Sequence, residues 1–290
     1  GKEDIDKAVR AAHEAFPAWR DTPPPKRGEL IFKAAELLKA KQDELARVIV
    51  REMGKTLPEA MGDVQSSVDV AQFMAGEGRR LYGQTTFSAL NRRWALTKRT
   101  PIGVCGLITA WNAPMAIVTW KLFPALICGN TVVLKPSEDT PLTAYRLGEI
   151  LKEAGFPDGV VNIVYGVGEE TGKALVDHPD VQLISFTGSS RVGRMISAEC
   201  GRSLKKCSLE MGGKNGLIVL DDADLPAAVK AVAAGAFSTA GQRCAATSRV
   251  LVHAKIYDEF LKALIEETKA MKVGKGEDPK TRICPVINRK

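Results

Sequence analysis

Cys244 stands in FSTAGQRCAATSR (237–249), preceded by Gly241, Gln242 and Arg243 and followed by small residues. Such surroundings let backbone come close to a ligand. Thiolate is the reactive form of cysteine, and a neighbouring cation, dipole or positioned base raises its fraction. Alone, the residue reads equally well as a small buried hydrophobe. Upstream, LEMGGKNG (209–216) supplies a carboxylate, Glu210, of a type that serves as a general base. The alternative for Glu210 is an ion pair with Lys214, the default if the stretch were helical. Met211, Gly212 and Gly213 argue against a helix there.

Six further stretches precede these two: PIGV (101–104), WNAP (111–114), WKLFPAL (120–126), GNTVVLKPSEDTP (129–141), GFPDGVVNIVYG (155–166) and FTGSSRVG (186–193). With SLEMGGKNG and GQRC, the series resembles the aldehyde dehydrogenase superfamily, of the NAD(P)-dependent, non-acylating type. Its signatures are a glutamate in LELGGK and a nucleophilic cysteine in GQxC, and the resemblance covers nearly the whole chain.

The resemblance implies oxidation of an aldehyde or semialdehyde to its carboxylic acid with NAD. Cys244 would add to the aldehyde carbon, giving a thiohemiacetal. The side-chain amide of Asn112 and the backbone N–H of Cys244 would meet the charge developing on oxygen. Hydride would pass to the nicotinamide, and Glu210 would activate the water that hydrolyses the thioester. An apolar surround at Glu210 would raise its pKa toward that task. Lys121 matches a family lysine close to the site, where a cation would help lower the thiol pKa; a structural role fits it as well. The family's usual PWNFP reads AWNAP here, with Ala110 and Ala113. The aromatic at the latter position lines the family's substrate tunnel, so Ala113 implies a wider entrance and a bulkier or polar-tailed aldehyde.

For the cofactor, FTGSSRVG ends a strand at Thr187, turns at Gly188 and opens a helix at Ser189, whose backbone N–H groups suit a pyrophosphate. An ordinary turn capped by Ser189 is the plainer account. GVGEETG is one residue longer than GxGxxG and is weak by itself; by resemblance Gly168 and Gly172 lie near the adenosine half. Lys135 and Glu138 of KPSE would hold the adenine ribose hydroxyls. A carboxylate suits a free 2′-hydroxyl and repels a 2′-phosphate, which favours NAD, with NADP possible through Lys135. Ile108, Thr109, Trp111, Ser137, Phe186, Val192, Glu210 and Met211 are carried over as further cofactor positions.

These residues need a scaffold. Residues 3–82 carry apolar positions at three- and four-residue spacing and read as helices, one of them running continuously over 28–54, with TPPP (22–25) as a break. Residues 84–100 read as a hairpin, which in the family bridges subunits. From 101, apolar strands at 102–109, 131–135, 160–165, 181–187 and 216–220 appear, with helical stretches between the first four. That pattern predicts an α/β fold with a Rossmann-like parallel sheet covered on both faces. Thr140 before Pro141 starts a helix and Gly155 stops it. A helix from Asp224, the Cys244 stretch, strand SRVLVH and a helix from Lys255 then open a second α/β unit. The expected division is a cofactor domain over 1–211 and the beginning of a catalytic domain over 212–290. The chain opens on Gly1, and a later family glutamate and oligomerising strand have no counterpart in it, so a fragment of a longer protein is expected.

With 45% hydrophobic and 26% charged residues, the 290-residue chain is ordinary for a globular protein. It shows no apolar run of membrane-spanning length and no signal peptide. Six cysteines without paired spacing favour a reducing, cytoplasmic location, and three scattered histidines give no metal site. The net charge of +7 and the basic NRRWALTKRT (91–100) raise a nucleic-acid surface, but no nucleic-acid module accompanies them, and a solvated hairpin face accounts for the charge. Partners expected are an aldehyde and, for the full-length protein, further copies of itself as a dimer or tetramer. Two alternatives stay open: a non-catalytic or truncated member that keeps cofactor binding, and the branch in which coenzyme A takes the thioester.

Overall fold

The computed structural model describes residues 1–289. Four helices come first, α1 (Lys2–Asp21), α2 (Pro24–Ala40), α3 (Gln42–Met53) and α4 (Leu57–Glu77). The continuous helix expected over 28–54 is interrupted at Lys41, whose φ of −101° and ψ of 15° leave the helical region. A straight helix of that length would run roughly 40 Å. The bend folds it back, so that Ile31 and Leu38 of α2 and Leu45 and Ile49 of α3 enter one core. Next come β1 (Thr85–Phe87) and β2 (Trp94–Leu96), paired antiparallel as the expected hairpin and fully exposed.

The centre is a five-stranded parallel sheet of β3 (Val104–Ile108), β4 (Thr131–Lys135), β5 (Val161–Ile163), β6 (Val181–Thr187) and β7 (Lys206–Glu210), in the order β5-β4-β3-β6-β7. Its connections are α5 (Ala116–Ile127), α6 (Pro141–Ala154), a short π turn (Gly168–Gly172) leading into α7 (Lys173–Asp177), and α8 (Ser190–Arg202). Side chains alternate across each strand. Cys105, Leu107, Val132 and Leu134 face α2–α6, while Val104, Ile108 and Val133 face α1, α7 and α8. Both faces are thus covered, as a parallel sheet requires.

β7 was not among the expected strands. Its sequence, KCSLE, is too polar and short to stand out, and pairing with β6 makes it a strand. The start of α6 at Pro141 and its stop at Gly155, left-handed at φ 94°, are as the sequence predicts. Beyond residue 212, β8 (Asn215–Val219) and β9 (Thr247–Val252) pair in parallel, with α9 (Leu225–Phe237) and α10 (Tyr257–Lys269) on one side. They enclose a separate small core of Val219, Val229, Val232 and Phe260.

Candidate active site and cofactor cleft

The strand order reverses direction between β3 and β6, and in open parallel sheets ligands bind at the carboxyl ends beside such a switch. Register lines up the strand ends there: Lys135 pairs with Ile108, Ile108 with Phe186, and Thr187 with Glu210. Thr109 follows directly, its N–H donating to the Lys135 carbonyl at 3.2 Å. Six of the residues expected from sequence therefore share one edge.

A cleft of about 890 Å³ opens against this edge. It gathers Trp111, Asn112, Lys121, Thr187, Gly188, Ser189, Glu210, Met211 and Cys244. Lys135, Ser137, Glu138, Gly168 and Gly172 lie outside it, around the end of β4. There Lys135 is buried with its Nζ 2.9 Å from Glu138, and a Cβ on Gly172 would lie 3.9 Å from the Lys135 side chain. Ser137 is buried, and its Oγ accepts from the Asp139 N–H at 3.3 Å. Open space surrounds Gly168, and Gly166 admits no side chain, because a Cβ there would sit 2.0 Å from Thr171 Oγ1.

Ser189 caps α8, its Oγ accepting from the Val192 N–H at 3.3 Å, while Val192 packs into the core beneath. The plainer account of Ser189 is therefore correct as far as it goes, and the first N–H groups of α8, which starts where β6 ends, have no partner within the helix. Gly188 is obligatory: a Cβ there would meet the Phe186 ring at 2.4 Å. A Cβ on Gly193 would strike Met211 Sδ at the same distance, so the glycine makes room for that side chain.

Cys244 is exposed and follows an unusual turn. Thr239, Ala240 and Gly241 have φ of 55°, 54° and 74°. Successive left-handed residues that are not glycine cost about 1–2 kcal/mol each. The turn is held from several sides. Gln242 returns both its backbone N–H and its Nε2 to the Thr239 carbonyl at 3.0 Å. Arg243 donates to the carbonyls of Ala234 and Gly235 at the end of α9, a structural role. Asn215, in the glutamate-bearing stretch but not singled out from sequence, donates from Nδ2 to the Cys244 carbonyl at 2.7 Å. It ties the two chemical stretches together.

Asn112 donates from Nδ2 to the Gln242 carbonyl at 2.9 Å, which leaves its second N–H for the cleft. Its Oδ1 is buried without a hydrogen-bond partner among the described residues. Lys121 donates to Ser185 Oγ at 3.1 Å. Burial lowers its pKa, and the Glu210 carboxylate works against that shift. The pairing of Glu210 with Lys214 is excluded by geometry: Glu210 closes β7, and no helical turn follows. Among the described residues no apolar surround of the kind expected covers Glu210, which is exposed on the open cleft. Ala110 lines the cleft, whereas Ala113 does not. Among the described residues no group of three or more His, Cys, Asp or Glu is arranged to hold a metal, and no helix is long and apolar enough to cross a membrane.

A sequence model described as "Aldehyde dehydrogenase family" matches residues 1–290. The chain is 44% identical over 287 residues to an alpha-ketoglutaric semialdehyde dehydrogenase of Bacillus subtilis, covering 99% of the chain and 59% of that protein. It is also 44% identical to a phenylacetaldehyde dehydrogenase of Pseudomonas fluorescens, at 99% and 59% coverage. Its fold matches an NADP-dependent enzyme of E. coli with a TM-score of 0.97 at 38% identity, covering 99% of this chain and 60% of that one. It matches a betaine aldehyde dehydrogenase of Staphylococcus aureus in complex with NAD+ equally well, at 99% and 57% coverage. The chain thus spans somewhat over half the length of these relatives.

Proposed function

Because the chain belongs to the aldehyde dehydrogenase family, we propose that the protein carrying it oxidises an aldehyde or semialdehyde to the carboxylic acid with a nicotinamide dinucleotide. The observation that carries this reading is the meeting of Cys244, Asn112 and Glu210 in one cleft at the carboxyl edge of the sheet.

The edge fits a dinucleotide. The N-terminus of α8 offers N–H groups to a pyrophosphate, and Gly188 lets it approach. Lys135 and Glu138, paired at 2.9 Å with Gly172 beside them, would hold the adenosine ribose. The Glu138 carboxylate favours a free 2′-hydroxyl, and hence NAD. When bound, the nicotinamide supplies hydride acceptance.

The protein's own groups perform the remaining steps. The Cys244 thiolate attacks the carbonyl carbon, and the free N–H of Asn112 stabilises the oxyanion. Once the thioester has formed, Glu210 takes a proton from water as the water attacks it. Release of the acid restores the thiol. Lys121, between Ser185 and Glu210, orients the cleft's electrostatics. Residues 212–290 are read as the beginning of a catalytic domain, supported by their separate core. The exposed hairpin is read as an arm between copies of the protein. Six free cysteines support a reducing, cytoplasmic location.

The test uses the protein at its full natural length with NAD and a panel of aldehydes, following NADH. Cys244→Ala should abolish NADH formation. Binding of NAD with no NADH from any aldehyde would instead favour a protein that binds the cofactor without turnover.

A further inference from the structure

α4 carries no residue of the cleft, yet it reaches both halves of the chemistry. Glu59 and Asp63 lie four residues apart and so share one face of the helix. Glu59 Oε1 accepts the Thr239 N–H at 2.7 Å, across nearly two-thirds of the chain. Its Oε2 accepts from the N–H and Oγ1 of Thr56 at 3.1 and 2.8 Å, closing the capping box of α4. Both carboxylate oxygens are thus committed. Asp63 Oδ1 accepts the Ala116 N–H at 2.7 Å, in the first turn of α5, directly after Asn112 and Pro114. The Asp63 charge is matched by Lys55 at 2.9 Å, both side chains being buried.

Thr239 is itself buried and begins the left-handed run that leads to Cys244. Strained backbone of this kind persists only where its surroundings over-determine it. Its carbonyl is held by Gln242, a neighbour within the same loop, and its N–H by Glu59 alone. Among the described residues, the one hydrogen bond that ties Thr239 to a part of the molecule outside its own loop is therefore the one to the α4 carboxylate.

We infer that Glu59 is a positioning residue for Cys244: α4, fixed by Asp63 against the helix that follows Asn112, sets the nucleophile loop relative to the oxyanion donor. Nothing in the family's motifs around the cysteine or the glutamate points to this helix. The kinetic consequence rests on the reading of Cys244 as the nucleophile, while the structural consequence does not.

The test is Glu59→Gln in the protein at its full natural length. The substitution keeps the shape but leaves one oxygen to serve Thr239 and Thr56 together. With the reacting group displaced, kcat should fall about tenfold or more, while the NAD dissociation constant and Tm stay near their original values. The rate of Cys244 alkylation by iodoacetamide should shift in the same variant, and in the unmodified protein the Thr239 amide should be protected against hydrogen exchange. An unaltered kcat and alkylation rate in a folded variant would overturn the inference. If the variant does not fold, exchange in the unmodified protein decides: a Thr239 amide as fast as an exposed loop amide overturns it. If Cys244→Ala retains aldehyde oxidation, the functional reading fails, and alkylation and exchange still decide the role of Glu59.

Discussion

Thr187 and Glu210 are register partners across β6 and β7, and the N–H of Gly188 donates to the Glu210 carbonyl at 3.1 Å. The backbone of the candidate base is thereby part of the turn proposed to receive the pyrophosphate. Its side chain remains free of both. Glu210→Gln should leave this ladder intact and NAD affinity unchanged while removing the base. The expected outcome in rapid mixing is one burst of NADH per site, followed by very slow turnover. Steady turnover at the original rate would remove Glu210 from the hydrolytic step.

Asn112 anchors one N–H on the Gln242 carbonyl and presents the other to the cleft. Loss of one oxyanion donor costs about 10²–10³ in kcat, so Asn112→Ala is expected to fall in that range with little change in NAD binding. An effect confined to KM would assign Asn112 to ground-state binding instead.

The cysteines differ sharply in reactivity. Burial pushes the Cys105 thiol up to about 12 and the Cys284 thiol up to about 11. A raised pKa keeps both protonated near neutral pH, so iodoacetamide should modify exposed Cys244 and Cys207 and, more slowly, exposed Cys128, whose thiol pKa burial also raises, and spare these two until the protein unfolds. The same burial makes stability fall at alkaline pH. Above the ordinary thiol value the unfolded chain releases protons that the folded chain retains, and the loss continues through about 11 to 12. Peptide mapping after labelling, and denaturant midpoints against pH, check the two statements.

Gly166, at φ 150°, combines a conformation closed to other residues with contact on Thr171. Gly166→Ala should destabilise the protein by about 1–3 kcal/mol from backbone strain, read as a lower urea midpoint. It should also weaken NAD binding, because the π turn beside Lys135 moves with it.

Much of this was legible in sequence because its signals are local. Apolar runs such as TVVLK mark buried parallel strands, Pro141 and Gly155 bracket a helix, and the motifs around Cys244 and Glu210 carry their chemistry in residue type. What was not legible depends on partners distant in the chain. β7 is a strand only because β6 lies beside it. The bend at Lys41 follows from the size of the core that α2 and α3 share. Left-handed Thr239 and Ala240 carry no glycine to announce them, and their support, Glu59, reads from sequence as one more charge on an outer helix face. Among the described residues Glu210 has no apolar cover, since β7 lies at the sheet's edge.

The register at the carboxyl edge also has a metric consequence. From Lys135 on β4 to Glu210 on β7 the strand ends advance by three inter-strand steps, roughly 14 Å at about 4.8 Å each. If the proposed assignments hold, the edge is a ruler graduated in strand widths, with ribose recognition at one end and acyl chemistry at the other. A ligand is measured by how many graduations it spans. On the proposed reading, a mononucleotide carrying nicotinamide would cover only part of that span and leave Lys135 and Glu138 to each other, so length alone would favour a dinucleotide.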